Sequence, residues 1–320
     1  MPLQYDPEFY KALEPMLFAM GNRPKIPVHD IQRRRERFET SRVVLEDLPD
    51  APDVIQEIHH VATTDKHKIP IHRFSKLPSA SAPGPAMLHM HGGGMILGSP
   101  ADFRKPLALW TSWTNVPIFS VDYRCAPEHK ELVLVNDCYI ALQWLMENAQ
   151  AFNIDPTRIA LFGESSGAGV AAGVALMARD RNLQPPVAKQ LLIEPMLDDR
   201  NLTPNTALAP FLAWDVDDNI TGWTALLGDQ AGNHDADVSY YASPARAKSL
   251  AGLPATYIDI GDLDLFRDEA ATYAIRIAAE NINTEFHLYS GVPHAFEWLA
   301  TEIAVTKRAT ENRIAAMTSF

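Results

Sequence analysis

Cysteine is nearly absent from this 320-residue chain, which holds only Cys125 and Cys138. Two thiols cannot frame a disulfide-stapled scaffold at this length. Both fall near segments that read as core, so two free, buried thiols are expected. No run of eighteen apolar residues occurs, so no membrane-spanning helix is expected. Residues 1–10 are polar and include acids, without the basic and apolar regions of a secretory leader, and a soluble, cytoplasmic protein is expected. Excess positive charge is missing too. The formal net charge is −12, and such a surface repels a phosphate backbone, so nucleic acid is not an expected partner. The densest basic stretch, Arg33, Arg34, Arg35 and Arg37, is followed by acids and reads as a solvated helix face. Internal repeats and low-complexity tracts are also lacking.

What remains is an ordinary globular balance, with enough chain for one large core or a core plus a small lid. Residues 6–47 read as helical: Phe9, Leu13, Met16, Leu17 and Met20 recur at helical spacing, and a charged segment follows. Residues 77–85, rich in Pro, Ser and Ala, read as a loop. Strand patterns occupy 54–63, 69–75, 86–90, 118–122, 158–162, 190–194, 256–261 and 284–289. Helical patterns lie at 102–114, 133–150, 167–180, 267–280 and 296–315. This alternation predicts an α/β fold with a mostly parallel sheet flanked by helices, its opening antiparallel pair making the sheet mixed. Between Asp198 and Tyr241 no strand is evident. Phe211, Leu212, Trp214, Ile220, Trp223, Leu226 and Leu227 predict one or two helices over the end of the sheet. Composition alone leaves open whether these are an ordinary surface pair or a lid facing substrate.

Chemistry enters at Gly163-Glu164-Ser165-Ser166-Gly167, which follows an apolar strand and precedes a helix of small residues. A bare G-x-S-x-G is weak, but strand–turn–helix is the context that a nucleophile elbow requires. The turn is tight, so its flanking positions must be small, and it presents the Ser165 hydroxyl above the sheet edge. The helix N-terminus beneath can stabilise developing negative charge. His91-Gly92-Gly93-Gly94 comes directly after the strand at 86–90. Consecutive glycines reach backbone conformations barred to other residues and can turn N–H groups toward an oxyanion. The N–H groups of Gly93, Gly94 and Ser166 are the expected donors, each preorganised donor being worth about a hundredfold or more in rate. A phosphate cradle is disfavoured, because the Lys-Ser/Thr of a P-loop and the spacing of a dinucleotide fingerprint are missing.

A serine nucleophile needs a base, and in elbow folds the order along the chain is serine, acid, histidine. Only His234, His287 and His294 follow Ser165. His287 sits inside a strand pattern and His234 in a polar turn. His294 lies just after the last strand, where such folds place catalytic groups, and is the expected base. The acid should follow the penultimate strand, in the loop that begins Gly261-Asp262-Leu263-Asp264. Asp264 is the candidate. Asp268 and Glu269 start the next helix, where acids are favoured for capping alone. His89 with His91, and His59 with His60, lack any accompanying metal-ligand pattern, so no metal and no cofactor is expected.

These residues resemble the hormone-sensitive-lipase-like family of α/β-hydrolases, the bacterial type IV esterases, over residues 50–310. His91 to Gly94 matches the family's oxyanion motif. Asp122-Tyr123-Arg124-Cys125-Ala126-Pro127-Glu128-His129 resembles its Y-R-L-A-P-E-H stretch, and Gly163 to Gly169 its G-D-S-A-G-G. Asp264-Leu265-Phe266-Arg267-Asp268-Glu269 resembles D-P-L-R-D-E, whose first Asp is the triad acid; Arg267-Asp268-Glu269 sets that register. Glu194 to Arg200 and Ala242 to Arg246 look like the heroin-esterase-like branch. The resemblance implies an α/β-hydrolase fold with a helical cap, divided as N-terminal cap helices 1–47, core 48–199, inserted cap segment 200–237 and core 238–320. It implies a serine carboxylesterase acting on short acyl esters, with Phe211, Leu212 and Trp214 on the substrate side of the cap. A small-molecule ester substrate and a homodimer are further implications. Glu164, Ser166, Leu265 and Ala295 depart from the usual Asp, Ala, Pro and Gly, which leaves substrate preference open. An acyltransferase or lactone hydrolase would use the same triad. A non-catalytic receptor on this fold would lack the histidine that His294 supplies.

Overall fold

Residues 2–21, 24–77 and 82–320 are described by the computed structural model of the chain. Runs of β-branched and aromatic residues between turn signals become strands: β1 (Val54–Ala62), β2 (Lys68–Lys76), β3 (Gly84–Met90), β4 (Ile118–Val121), β5 (Ile154–Glu164), β6 (Lys189–Ile193), β7 (Ala255–Gly261) and β8 (Thr284–Tyr289). The helices are α1 (Pro7–Gly21), α2 (Ile31–Ser41), α3 (Val43–Glu46), α4 (Arg104–Thr114), α5 (Val133–Glu147), α6 (Ser166–Asp180), α7 (Val216–Leu227), α8 (Arg267–Ala279), α9 (Phe296–Leu299) and α10 (Ala304–Thr318). One eight-stranded sheet runs β1-β2-β4-β3-β5-β6-β7-β8. β1 with β2 and β2 with β4 are antiparallel, and every later pair is parallel. The α/β class with a mixed, mostly parallel sheet is therefore as the sequence predicts.

Alternate residues of one strand feed opposite cores, as a period of two demands. Ala86, Leu88, Met90 and Leu161 face the core that α5, α6 and α8 close. Met87, Ala160, Phe162 and Leu191 face the other, which Trp110 of α4 and Met317 of α10 fill. The parallel strands share a direction, so the loops after β3, β5, β7 and β8 gather at one edge. Register brings them together: Met90 pairs Gly163, Glu164 pairs Ile193, and Gly261 pairs Tyr289.

Four expectations change. The helix expected over 296–315 is two, α9 and α10. Ala300 (φ −141°) and Ile303 (ψ 156°) leave the helical region, and both are buried against the cluster around Phe9 and Phe296. Cys138 is buried, but Cys125 is only half-buried; both are free. Burial, then Asp122, pushes the Cys125 thiol up to about 12, so it is not a reactive thiolate. The loop expected at 77–85 ends earlier, because Gly84 already begins β3; residues 78–81 lie outside the described residues, as do the side chains of Leu17 and Met20. Finally, the arginine run is a solvated face only at Arg33, which is exposed. Arg34 is buried and donates to Asp218 of α7 at 2.8 Å, while Arg37 donates to both oxygens of Asp218 at 2.9 Å. Arg35 pairs Glu128 and also donates to the Ile96 and Ala126 carbonyls. A desolvated guanidinium needs a paired carboxylate, and α7 provides it.

Candidate active site

Ser165, between β5 and α6, has φ 56° and ψ −124°, a strained conformation for a residue with a Cβ. Surrounding contacts hold it there. Its N–H donates to the Ile193 carbonyl, and its carbonyl accepts from Ala168, Gly169 and Met196. The turn lies so close to the end of β3 that a Cβ on Gly167 would overlap the Met90 and His91 carbonyls. That is the physical reason for glycine at the end of the motif. Ser165 is partly exposed, whereas Ser166 is buried, and the Ser166 hydroxyl accepts the Met95 N–H at 3.1 Å. The departure at Ser166 thus ties the elbow to the glycine loop. Glu164, at the end of β5, is buried with Oε2 3.9 Å from His89 Nε2.

His294 Nε2 lies 3.0 Å from Ser165 Oγ, and its Nδ1 lies 2.6 Å from Asp264 Oδ2. Asp264 is buried, and its second oxygen accepts the Phe266 N–H at 2.8 Å, which orients the carboxylate. Asp262 does something else: its Oδ1 accepts the Gly291 N–H at 2.6 Å and so joins the loops after β7 and β8. His234 lies exposed in a turn, and His287 pairs with Glu285 on edge strand β8. Burial alone would push the His294 pKa down. The neighbouring charge of Asp264, with Glu297 and Glu164 behind it, outweighs that and raises it above its ordinary value.

The glycine loop closes over this row. Gly93 has φ 128°, and a Cβ there would overlap the Leu97 carbonyl. Among the described residues the N–H groups of Gly93, Gly94 and Ser166 have no protein acceptor. The His91 ring is stacked on Tyr123 at 4.3 Å, and the Tyr123 hydroxyl donates to the His91 carbonyl at 2.6 Å. Burial pushes the His91 pKa down to about 3, so this ring is neutral scaffolding for the loop. The Trp214 ring lies against Gly94, where an added Cβ would collide with it. Gly222 of α7 lies against the Gly94 carbonyl in the same way. Of the three apolar residues picked from the insertion, Trp214 lies against Gly94 of the glycine loop. Phe211 sits edge-on to Tyr5, ring centres 5.0 Å apart, and Leu212 packs against the core.

Sequence reasoning missed Glu194, which is buried with Oε2 3.3 Å from His294 Nδ1 and 2.6 Å from the Ala295 N–H. It also missed Arg313, which donates to both oxygens of Asp259 and to Glu297 beneath the same loop. The one available signal was Glu297, placed three residues after His294. Among the described residues, the only cluster of ligand atoms close enough for a metal is Glu194, Asp264 and His294. There Nδ1 is already hydrogen-bonded to Asp264, so these atoms are part of the row itself.

A family model described as the alpha/beta hydrolase fold matches residues 87–298. Carboxylesterase NlhH of Mycobacterium tuberculosis is 34% identical over 237 residues, covering 73% of each chain. Esterase LipI of the same organism is 31% identical over 241 residues, 74% of this chain and 73% of that one. Among solved structures, a bacterial heroin esterase superposes with a TM-score of 0.88 at 33% identity, covering 98% of this chain and 97% of that one.

Proposed function

The chain belongs to the hormone-sensitive-lipase-like family of α/β-hydrolases and is a carboxylic-ester hydrolase, and from that premise we propose that Ser165, His294 and Asp264 are its catalytic triad. The observation that carries this reading is the unbroken line Ser165 Oγ–His294 Nε2, His294 Nδ1–Asp264 Oδ2, at 3.0 and 2.6 Å. His294 takes the Ser165 proton as Oγ bonds to the ester carbonyl carbon. The tetrahedral oxyanion accepts the N–H groups of Gly93, Gly94 and Ser166, which have no acceptor among the described residues. His294 then protonates the leaving alkoxide as the C–O bond breaks. Water repeats the sequence on the acyl-enzyme: His294 takes its proton, the hydroxide adds, and collapse returns the proton to Ser165 and releases the acid. Asp264 keeps Nδ1–H pointed away from Oγ and stabilises the imidazolium in both halves.

Residues 1–47 and 200–237 act together as the cap in this reading. Support comes from the contacts between them: Tyr5 with Phe211, His29 N–H with the Thr221 hydroxyl, and Arg34 with Asp218. Trp214 rests on Gly94, and in this reading a bulky ring next to the oxyanion donors favours small acyl groups. Nitrophenyl esters from acetyl to palmitoyl test this. Turnover should be highest for acetyl to hexanoyl and fall beyond. A rate that climbs steadily to palmitoyl would overturn the short-acyl reading.

A further inference from the structure

Glu194 leaves β6 with φ 48°, in the left-handed region that a non-glycine residue enters at a cost. The turn is held because the Glu194 N–H donates to the Asp259 carbonyl at 2.8 Å and the preceding Ile193 carbonyl accepts the Ser165 N–H. The strain aims a carboxyl group at the base. Its Oε2 accepts the Ala295 N–H at 2.6 Å and lies 3.3 Å from His294 Nδ1. The base therefore has two acidic side chains on one nitrogen, Asp264 nearer and Glu194 farther. Among the described residues the other oxygen, Oε1, is buried without a partner. A carboxylate charge there would be only partly compensated, which favours the neutral acid.

Resting on the Ser165–His294 assignment, we propose that Glu194 is a positioning residue for His294 and its reserve acid: it fixes the ring's loop through the Ala295 N–H, and it accepts the Nδ1–H when the Asp264 charge is removed. The charged surroundings fit this role. Asp264 faces Glu194 from the loop after β7, Glu297 from α9, and Arg313 from α10. Asp259 in β7 and Glu164 in β5 adjoin the same cluster. Burial, then Glu297 and Asp264, raises the Glu194 pKa well above the ordinary carboxylate value, and Arg313 only partly opposes this. Burial and the neighbouring acids thus oppose a second negative charge on Glu194 beside the same imidazole. Loss of the Asp264 charge removes one repulsion, and Glu194 ionises more readily in its place.

The test compares wild type, Asp264→Asn, Glu194→Gln and the double variant Asp264→Asn/Glu194→Gln, by kcat on nitrophenyl acetate across pH and by melting temperature. Glutamine still offers an amide oxygen to the Ala295 N–H, so the fold should survive. Asp264→Asn should lose about a hundredfold, not the about ten-thousandfold of a triad without a spare acid. Its remaining kcat should rise with pH as Glu194 ionises. The double variant should lose that rising component and fall about a further hundredfold. Equal rates and equal pH profiles for the single and double variants, in an active wild-type background, would overturn this inference and leave the triad standing. A ten-thousandfold loss in Asp264→Asn with no rise toward high pH would do the same, and it needs no double variant. A wild-type protein inert toward all esters would overturn the triad reading and this inference together.

Discussion

Asp262 and Asp264 stand two residues apart in one loop, yet their carboxylates have different work. The Asp262 carboxylate only bridges to the Gly291 N–H. Asp262→Ala should cost about 1 kcal/mol of stability and leave kcat near wild type. Asp264→Asn keeps an acceptor for the Phe266 N–H, so its melting temperature should hold while kcat drops by about a hundredfold or more. The reverse pattern would reassign the acid. His294 sets the pH profile. A general base must be neutral, so kcat/KM falls as pH drops through the His294 pKa. With that pKa held above its ordinary value of about 6.5, chiefly by Asp264 against the opposing effect of burial, the acid limb should have its midpoint above pH 6.5. A midpoint below that would contradict the account. The proposed triad was legible because each member follows a strand in a recognisable local string. Glu194 was not, because its role depends on β6 carrying it beneath a loop that begins after β8, and no local string encodes that.

Elements were legible where apolar residues kept a strict period. The eight strands fall where expected, because hydrophobic runs bounded by turn signals have few other fates in a sheet covered on both faces. The misreadings are tertiary. The final helix breaks over residues 300–303 because Ala300 and Ile303 turn into the cluster with Phe9, contributed by a helix nearly three hundred residues earlier. The arginine run of α2 was misread because the partner of Arg34 is Asp218, separated from it by 184 positions. Asp218 also completes the N-terminal capping box of α7 with Asp215. A buried ion pair with one member removed leaves an uncompensated charge. Arg34→Met should therefore lower stability by about 3 kcal/mol or more, read by urea denaturation, although Arg37 still reaches Asp218. A loss under about 0.5 kcal/mol would show that the α2–α7 contact is a surface pair after all.

At the scale of the whole molecule, the sheet is a frame that brings four loops to one edge, and the helical segments close over that edge. α7 meets the glycine loop at Gly222, Trp214 meets it just before that helix begins, and α2 meets it at the Ile96 carbonyl through Arg35. The N-terminal helices and the insertion therefore bear on the same loop that carries the proposed oxyanion donors. Among the described residues no helix is long and apolar enough to cross a membrane. The central claim is that Ser165 is the nucleophile and His294 its base. The most direct measurement is treatment with an alkyl phosphonate, intact-mass analysis and peptide mapping, beside the His294→Ala variant. One adduct per chain, located on Ser165 and slowed by orders of magnitude in His294→Ala, is the predicted result. An adduct on Ser166, or labelling at an undiminished rate without the imidazole, would contradict it.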